Sequence, residues 1–216
     1  MSDIKTLTDR IEGAVAAFRD KAKKQEQAIL DDYLDRQKRL AEYEKVQTKV
    51  VEIAKPRLEA LAARAKEWVK VTPSVSQFRR AATFEFNSPK AKISLTFSVA
   101  PDQTVNNVVT DCDLRIIPVL WKFESHSELS TPVANFDAAR VTKWLDDQIV
   151  AFVQLFVEIH ESELYERGDS VEDPVAKIKF PKFAAGATLE HGGKTLYFID
   201  DRTKQEYMKQ QGVKAG

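Results

Sequence analysis

Along the first third of the chain, apolar residues recur at alternating spacings of three and four. Ile4, Leu7, Ile11, Ala14 and Phe18 form one such series, and Leu40, Tyr43, Gln47, Val50, Ala54, Leu61, Ala65 and Trp68 form a second. This is the period of a helix with a coiled-coil seam. The intervening residues are dominated by Ala, Glu, Lys, Gln, Arg and Leu, all strong helix formers. The pattern therefore predicts helix from residue 3 to about residue 70, with polar stretches at 19–27 and 35–39 between the two seams. A helix of that length is on the order of 100 Å long at about 1.5 Å per residue. It must fold back, dock along a domain or pair with another chain. Pro56 lacks a backbone donor and is expected to kink or restart the helix.

At Thr72-Pro73-Ser74 the helix is expected to stop, and the period switches to two. Residues 91–100 place Ile93, Leu95, Phe97 and Val99 on one face and Ser94, Thr96 and Ser98 on the other, the mark of a half-buried strand. Residues 81–87 read as its hairpin partner. Residues 108–117 and 119–125 read as one bent strand or two, broken at Pro118. Asn135 or Asp137 is placed to cap a helix running to Gly168. Nine of the eleven residues from 149 to 159 are apolar, which predicts burial on several sides. The expected fold class is α+β: a long N-terminal helix or coiled coil (1–72), an antiparallel sheet covered by a long helix (73–168), and a small C-terminal hairpin-plus-helix module (169–216). Trp121, Phe123, Trp144, Phe152 and Phe156 are its core candidates.

Charge adds little to this picture and excludes something. In 216 residues, 33 Lys+Arg balance 33 Asp+Glu, so there is no bulk attraction to nucleic acid or anionic membrane. Acids are interleaved with the bases of the long helix, which argues against a basic face. The longest apolar run is too short to cross a bilayer, and the N-terminus lacks the apolar core of a signal peptide. The only cysteine is Cys112, which suits a reducing compartment, so the expected location is cytoplasmic. Gly13 is followed by no glycine until Gly168, and five more crowd into the remainder. Loops in the middle of the chain must turn on Pro, Asn, Asp and Ser, and no glycine-rich phosphate loop can lie there.

The C-terminal stretch DPVAKIKFPKFAAGATLEHGGKTLYFIDDRTKQEY, residues 173–207, has a distinctive cadence. Asp173-Pro174-Val175, Ala187, Gly193-Lys194-Thr195, Leu196-Tyr197-Phe198 and Tyr207 fall where the YHS domain has "DPV", an alanine, a glycine-aromatic stretch, "YYF" and a phenylalanine. The chain resembles that domain over about residues 171–211 and nowhere else. The family is associated with soft metals held by three cysteines. At those three positions this chain has Ala176, Ile199 and Thr203. Ala and Ile cannot ligate, and a neutral Thr hydroxyl is a poor ligand for a soft ion. The resemblance thus implies a frame without its thiolate site: a hairpin around residues 191–199, then a helix from Asp200 or Asp201 to Gln211.

The remaining candidate chemistry is thin. His160 lies in EIHESE, but Leu164 stands where an HExxH motif needs its second histidine. His191 could join Asp200 and Asp201 in a weak hard-ion site. Cys112 sits in a strand pattern and reads as a core thiol. The adjacent acid pairs at 146–147 and 200–201 read as a solvated face and a helix cap. The expected function is a non-enzymatic scaffold or adaptor, with no cofactor. It would self-associate through Ile4, Leu7, Ile11, Phe18, Leu40, Tyr43, Val50 and Leu61, and dock a protein partner through its other two parts. The alternative is a metal-handling or metal-sensing accessory protein whose ligands come from His126, His160, His191 and Cys112.

Overall fold

In the computed structural model, which describes residues 2–65, 67–120, 122–165 and 167–213, the fold is α+β. The chain opens with α1 (Ser2–Arg64), a single helix of 63 residues. A sheet of five strands follows: β1 (Val69–Val75), β2 (Arg80–Asn87), β3 (Lys92–Pro101), β4 (Asn107–Ile117) and β5 (His126–Pro132). The strands are antiparallel neighbours in chain order, a meander. Then come α2 (Ala138–Glu161) and a C-terminal module of two short hairpins and a helix. These are β6 (Ser170–Glu172) with β7 (Lys179–Pro181), β8 (Ala187–His191) with β9 (Lys194–Phe198), and α3 (Asp201–Gln211).

The alternation read at residues 91–100 holds through β3, whose Ile93, Leu95, Phe97 and Val99 are all buried. That face of the sheet is covered by α2 and by the second half of α1, which pack side by side with Arg57 Nε donating to Asp146 Oδ1 at 2.8 Å. The seam from Leu40 onward supplies the cover, with Tyr43, Val46, Val50 and Leu61 buried and Leu40 packed against them. Gln47 is buried in the same seam; its Nε2 donates to Tyr43 Oη and to the Phe78 carbonyl, each at 2.8 Å. Tyr43 Oη donates to that carbonyl too, at 2.8 Å, so the β1–β2 turn is pinned to α1. Burial pushes the Tyr43 phenol up to about 12.

Several sequence expectations are corrected. The helix ends at Arg64, and Thr72-Pro73-Ser74 lies inside β1. Proline is tolerated there because β1 is an edge strand with no partner beyond it. Pro56 does not restart α1. Both Pro56 and Glu52, whose carbonyl loses its donor, lie on the exposed side, where water satisfies the acceptor. Trp68 falls outside the helix and is exposed. The described residues of 119–125 form no strand; the fifth strand is 126–132, whose Leu129 and Thr131 point inward. Asp137 caps α2 by accepting from Arg140 N at 2.9 Å, but α2 stops at Glu161, short of Gly168. Its apolar middle is buried on one side only: Phe152 and Ile159 face the sheet, while Val150, Val153 and Val157 are exposed, because no third layer covers them. Phe152 is in the core, Phe123, Trp144 and Phe156 are half-buried against it, and Trp121 lies outside the described residues.

The glycine-free middle of the chain turns as its composition requires. Between β3 and β4, Asp102 accepts from the backbone N–H of Asn106 and Asn107, from Asn107 Nδ2 and from Thr104 Oγ1. Those bonds hold its carboxyl below the usual range against the opposing effect of desolvation. Val105 takes φ +62° in this turn and buries its side chain. That conformation costs on the order of 1–3 kcal/mol, which side-chain burial helps to offset.

At concentrations low enough to keep the chain monomeric, Leu145→Ala, at the fully buried centre of α2, should cost about 2–5 kcal/mol in urea unfolding. Ile11→Ala, exposed on α1, should change stability by no more than about 0.5 kcal/mol. Comparable losses at both positions would mean that the first half of α1 is packed on the body.

Candidate functional site

The C-terminal module is organised around one carboxylate. Asp173 follows β6 and is fully buried. Its Oδ1 accepts from the backbone N–H of Val175 at 2.8 Å and Ala176 at 2.9 Å, closing the turn that contains Pro174. Its Oδ2 accepts from Ile199 N at 2.9 Å and from Thr203 Oγ1 at 2.7 Å. One acceptor-only group thereby ties the loop after β6, the end of β9 and the first turn of α3. A buried carboxylate is costly unless hydrogen-bonded, and these four donors offset that cost. Ala176, Ile199 and Thr203, the three positions singled out in the sequence, all meet at this hub. Nothing in the sequence pattern named Asp173 as its centre, because the donors are two backbone amides from the turn, one from the residue just after β9 and a hydroxyl from α3.

A small core stands beside the hub, formed by Ile178, Phe180 and Ile199, and Phe198 is fully buried. Gly186 passes so close to β9 that a Cβ there would run into the Ile199 carbonyl oxygen. The module also touches the sheet domain. Ile117 packs against its core, and Lys179 N donates to Pro89 O at 3.1 Å.

The candidate hard-ion site does not assemble. Asp200 Oδ1 is engaged as the cap of α3, accepting from Thr203 N at 2.8 Å, and Asp201 lies exposed in the first turn. His191 stands edge-on to the Tyr207 ring at 5.9 Å. The four alternative metal ligands are likewise dispersed. Cys112 points into the core, and burial pushes its thiol up to about 12. His160 lies over Phe156 at 4.2 Å, its Nδ1 2.7 Å from the Phe156 carbonyl and its Nε2 3.2 Å from Ser88 Oγ. His126 is on the outer face of the sheet, where β4–β5 register sets Asp113 opposite it and Asp111 opposite Glu128. Among the described residues, the ligand atoms of Asp111, His126 and Glu128 lie within 4.8 Å of one another. The alternation D-C-D against H-S-E carried that signal, but it could be seen only once β5 was placed at 126–132. His126 Nδ1 donates to Asp113 Oδ1 at 2.8 Å, and this bond holds the imidazole above its ordinary pKa. The pair is exposed and therefore weak.

A concave surface lies between α1 and the sheet edge. It is a groove of about 490 Å³ whose walls are Val51, Leu58 and Ala62 of α1 and Val71, Pro73 and Val75 of β1. Its lining holds no histidine or cysteine, and Lys55 and Glu59 at its edge pair with each other at 3.9 Å. The chemistry on offer is apolar contact.

The first half of α1 carries a further surface. From Ile4 to Leu34 it presents nine large apolar side chains to solvent, among them Ile4, Leu7, Ile11 and Phe18. The self-association residues thus divide. Those four are exposed, whereas Tyr43, Val50 and Leu61 are buried in the chain's own core with Leu40 against them. The second group faces the sheet and α2, where no other chain can reach it. Comparison with protein-family models, curated proteins and solved structures finds no match for this chain.

Asp173→Ala removes the acceptor of four donors. It should destabilise the C-terminal module by on the order of 3 kcal/mol, seen as loss of hydrogen-exchange protection at Ile199 and Thr203 while β3 and β4 stay protected. Thr203→Val, which removes one donor, should cost about 1 kcal/mol. Unchanged protection in Asp173→Ala would show that the small core holds the module without the hub.

Proposed function

We propose that this protein is a non-catalytic scaffold that associates with itself through the exposed half of α1. Its sheet domain and C-terminal module would serve as docking parts. The observation that carries this reading is the bare stripe on α1. Nine large apolar side chains on one helix exceed what a monomer leaves uncovered without function, and their spacing is that of a helical seam. The exposed valines of α2 at positions 150, 153 and 157 provide a second strip for a protein partner. We read the C-terminal module as a YHS-like frame kept for its shape, with the Asp173 hub doing the cross-linking that a metal and thiolates would do. The single, buried Cys112 fits a reducing, cytoplasmic setting. Among the described residues, no helix is long and apolar enough to cross a membrane.

One observation favours metal handling as a second reading, namely the Asp111–His126–Glu128 group. A borderline divalent ion such as Zn²⁺ would suit its imidazole and carboxylates. Asp113 favours the protonated ring, and an imidazolium cannot ligate. Affinity should therefore fall as pH drops through a pKa above the ordinary His value. Zn²⁺ titrated at pH 8 should shift the His126 ring resonances with a one-to-one endpoint that Glu128→Gln weakens at least tenfold. Resonances that do not move would remove this reading.

For the scaffold, sedimentation of the full chain at micromolar concentration should give a discrete oligomer. Ile11→Glu combined with Phe18→Glu should convert it to monomer with the thermal unfolding of the sheet domain unchanged. A wild-type chain that sediments as a monomer across this range would sink the proposal.

A further inference from the structure

The groove beside α1 and the stripe on α1 are complementary surfaces of the same helix, and one operation brings them together. Val15, Tyr33 and Val51 are each 18 residues apart, five full turns at about 3.6 residues per turn, so they lie on one line of the helix surface. All three are exposed. Ile4, Ile11, Phe18, Ile29, Leu58 and Ala62 fall with them inside a sector of about 80° at about 100° per residue. The stripe on the free half and the groove wall on the docked half are therefore one face. Tyr33 is the midpoint of α1, which runs from Ser2 to Arg64.

We propose that the occupant of the groove is the free half of α1 from a second copy of this chain, in an antiparallel pair of α1 helices related by a two-fold axis at Tyr33. The inference rests on the self-association reading and adds to it an orientation, a register and a place for the helix tip. In this arrangement residue numbers of opposed positions sum to 66. Val15 faces the partner's Val51, Ile11 lies level with Lys55, and Leu7 and Ile4 reach the level of Glu59 and Ala62, where the groove opens between α1 and β1. The lengths agree. Residues 2–27 of one helix lie along residues 39–64 of the other, which is the segment that begins where the seam enters the body at Leu40. The charges agree as well. Glu12 comes one residue from the level of Lys55 and Lys5 two residues from the level of Glu59, so the pair now closed on itself at 3.9 Å gains a nearby counter-ion for each member. At the axis the exposed Tyr33 meets its own copy, as an isologous interface requires, with the exposed Ile29 and Leu30 one turn to its N-terminal side. A parallel pair would cover the stripes but leave both grooves open.

The test is site-directed disulfide formation in the full chain. Cys112 is buried, and burial pushes its thiol up to about 12, so it stays out of exchange at pH 8. Sedimentation of each reduced variant comes first. Oxidised, Tyr33→Cys should give a cross-linked dimer. Separately purified Val15→Cys and Val51→Cys should cross-link when mixed, at least tenfold more than either alone. A dimer in which Val15→Cys links to itself, and gains nothing from Val51→Cys, would overturn the antiparallel pairing and leave self-association standing. A trimer or tetramer would overturn the two-fold pair in the same way. Variants and wild type that sediment as monomers would remove the self-association reading and this inference with it.

Discussion

The second seam of α1 is the interaction on which the rest of the molecule depends. The meander is apolar on one face, and α2 alone does not cover it; Tyr43, Val46, Val50 and Leu61 close the remaining part. Tyr43 and Gln47 converge on the Phe78 carbonyl, which fixes α1 to the β1–β2 turn at a site shielded from water. Because the helix is rigid and continues in the other direction, docking its second half forces its first half away from the body. About 55 Å of helix, at about 1.5 Å per residue, leaves the sheet domain with its apolar stripe bare. The exposed half is thus a mechanical consequence of the packed half.

The same docking creates the groove. α1 lies over the sheet but stops short of its β1 edge, where Pro73 and its neighbours face outward across a gap toward Val51, Leu58 and Ala62. A sheet edge and an apolar helix flank are both surfaces that a chain normally covers. Their presence side by side, on the helix that also carries the bare stripe, is why the molecule reads as half of a larger assembly. The proline on the edge strand removes a backbone donor and disfavours pairing by an added strand, which leaves side-chain contact as the way to fill the groove.

The C-terminal module solves a different problem. A unit of this size has little core of its own, and small modules often need a staple. Here the staple is the Asp173 carboxylate, which draws donors from three segments. A metal centre held by thiolates puts a cation at the middle and anions around it. This hub has the opposite polarity, an anion at the middle and N–H and O–H dipoles around it. Of the residues around it, Ala176 and Ile199 offer only backbone N–H groups, and Thr203 offers a hydroxyl.

Local pattern alone was enough for much of this. The period of 3.6 determined α1, the period of two determined β2, β3 and β4, and a cap at Asn135 or Asp137 placed the start of α2. These features are set by interactions within a few residues, so they are visible in the chain itself. The tertiary structure decided the rest. Whether Tyr43 or Phe18 faces a core is the same question locally, since both lie on the same helical stripe; only the reach of the sheet domain separates them. The strand at 126–132 is weakly apolar and is held by its register with β4. The gathering of Asp111 with His126 and Glu128, and of Ala176, Ile199 and Thr203 around Asp173, depends on segments distant in sequence. Such contacts arise from packing and register, which no short window of residues contains.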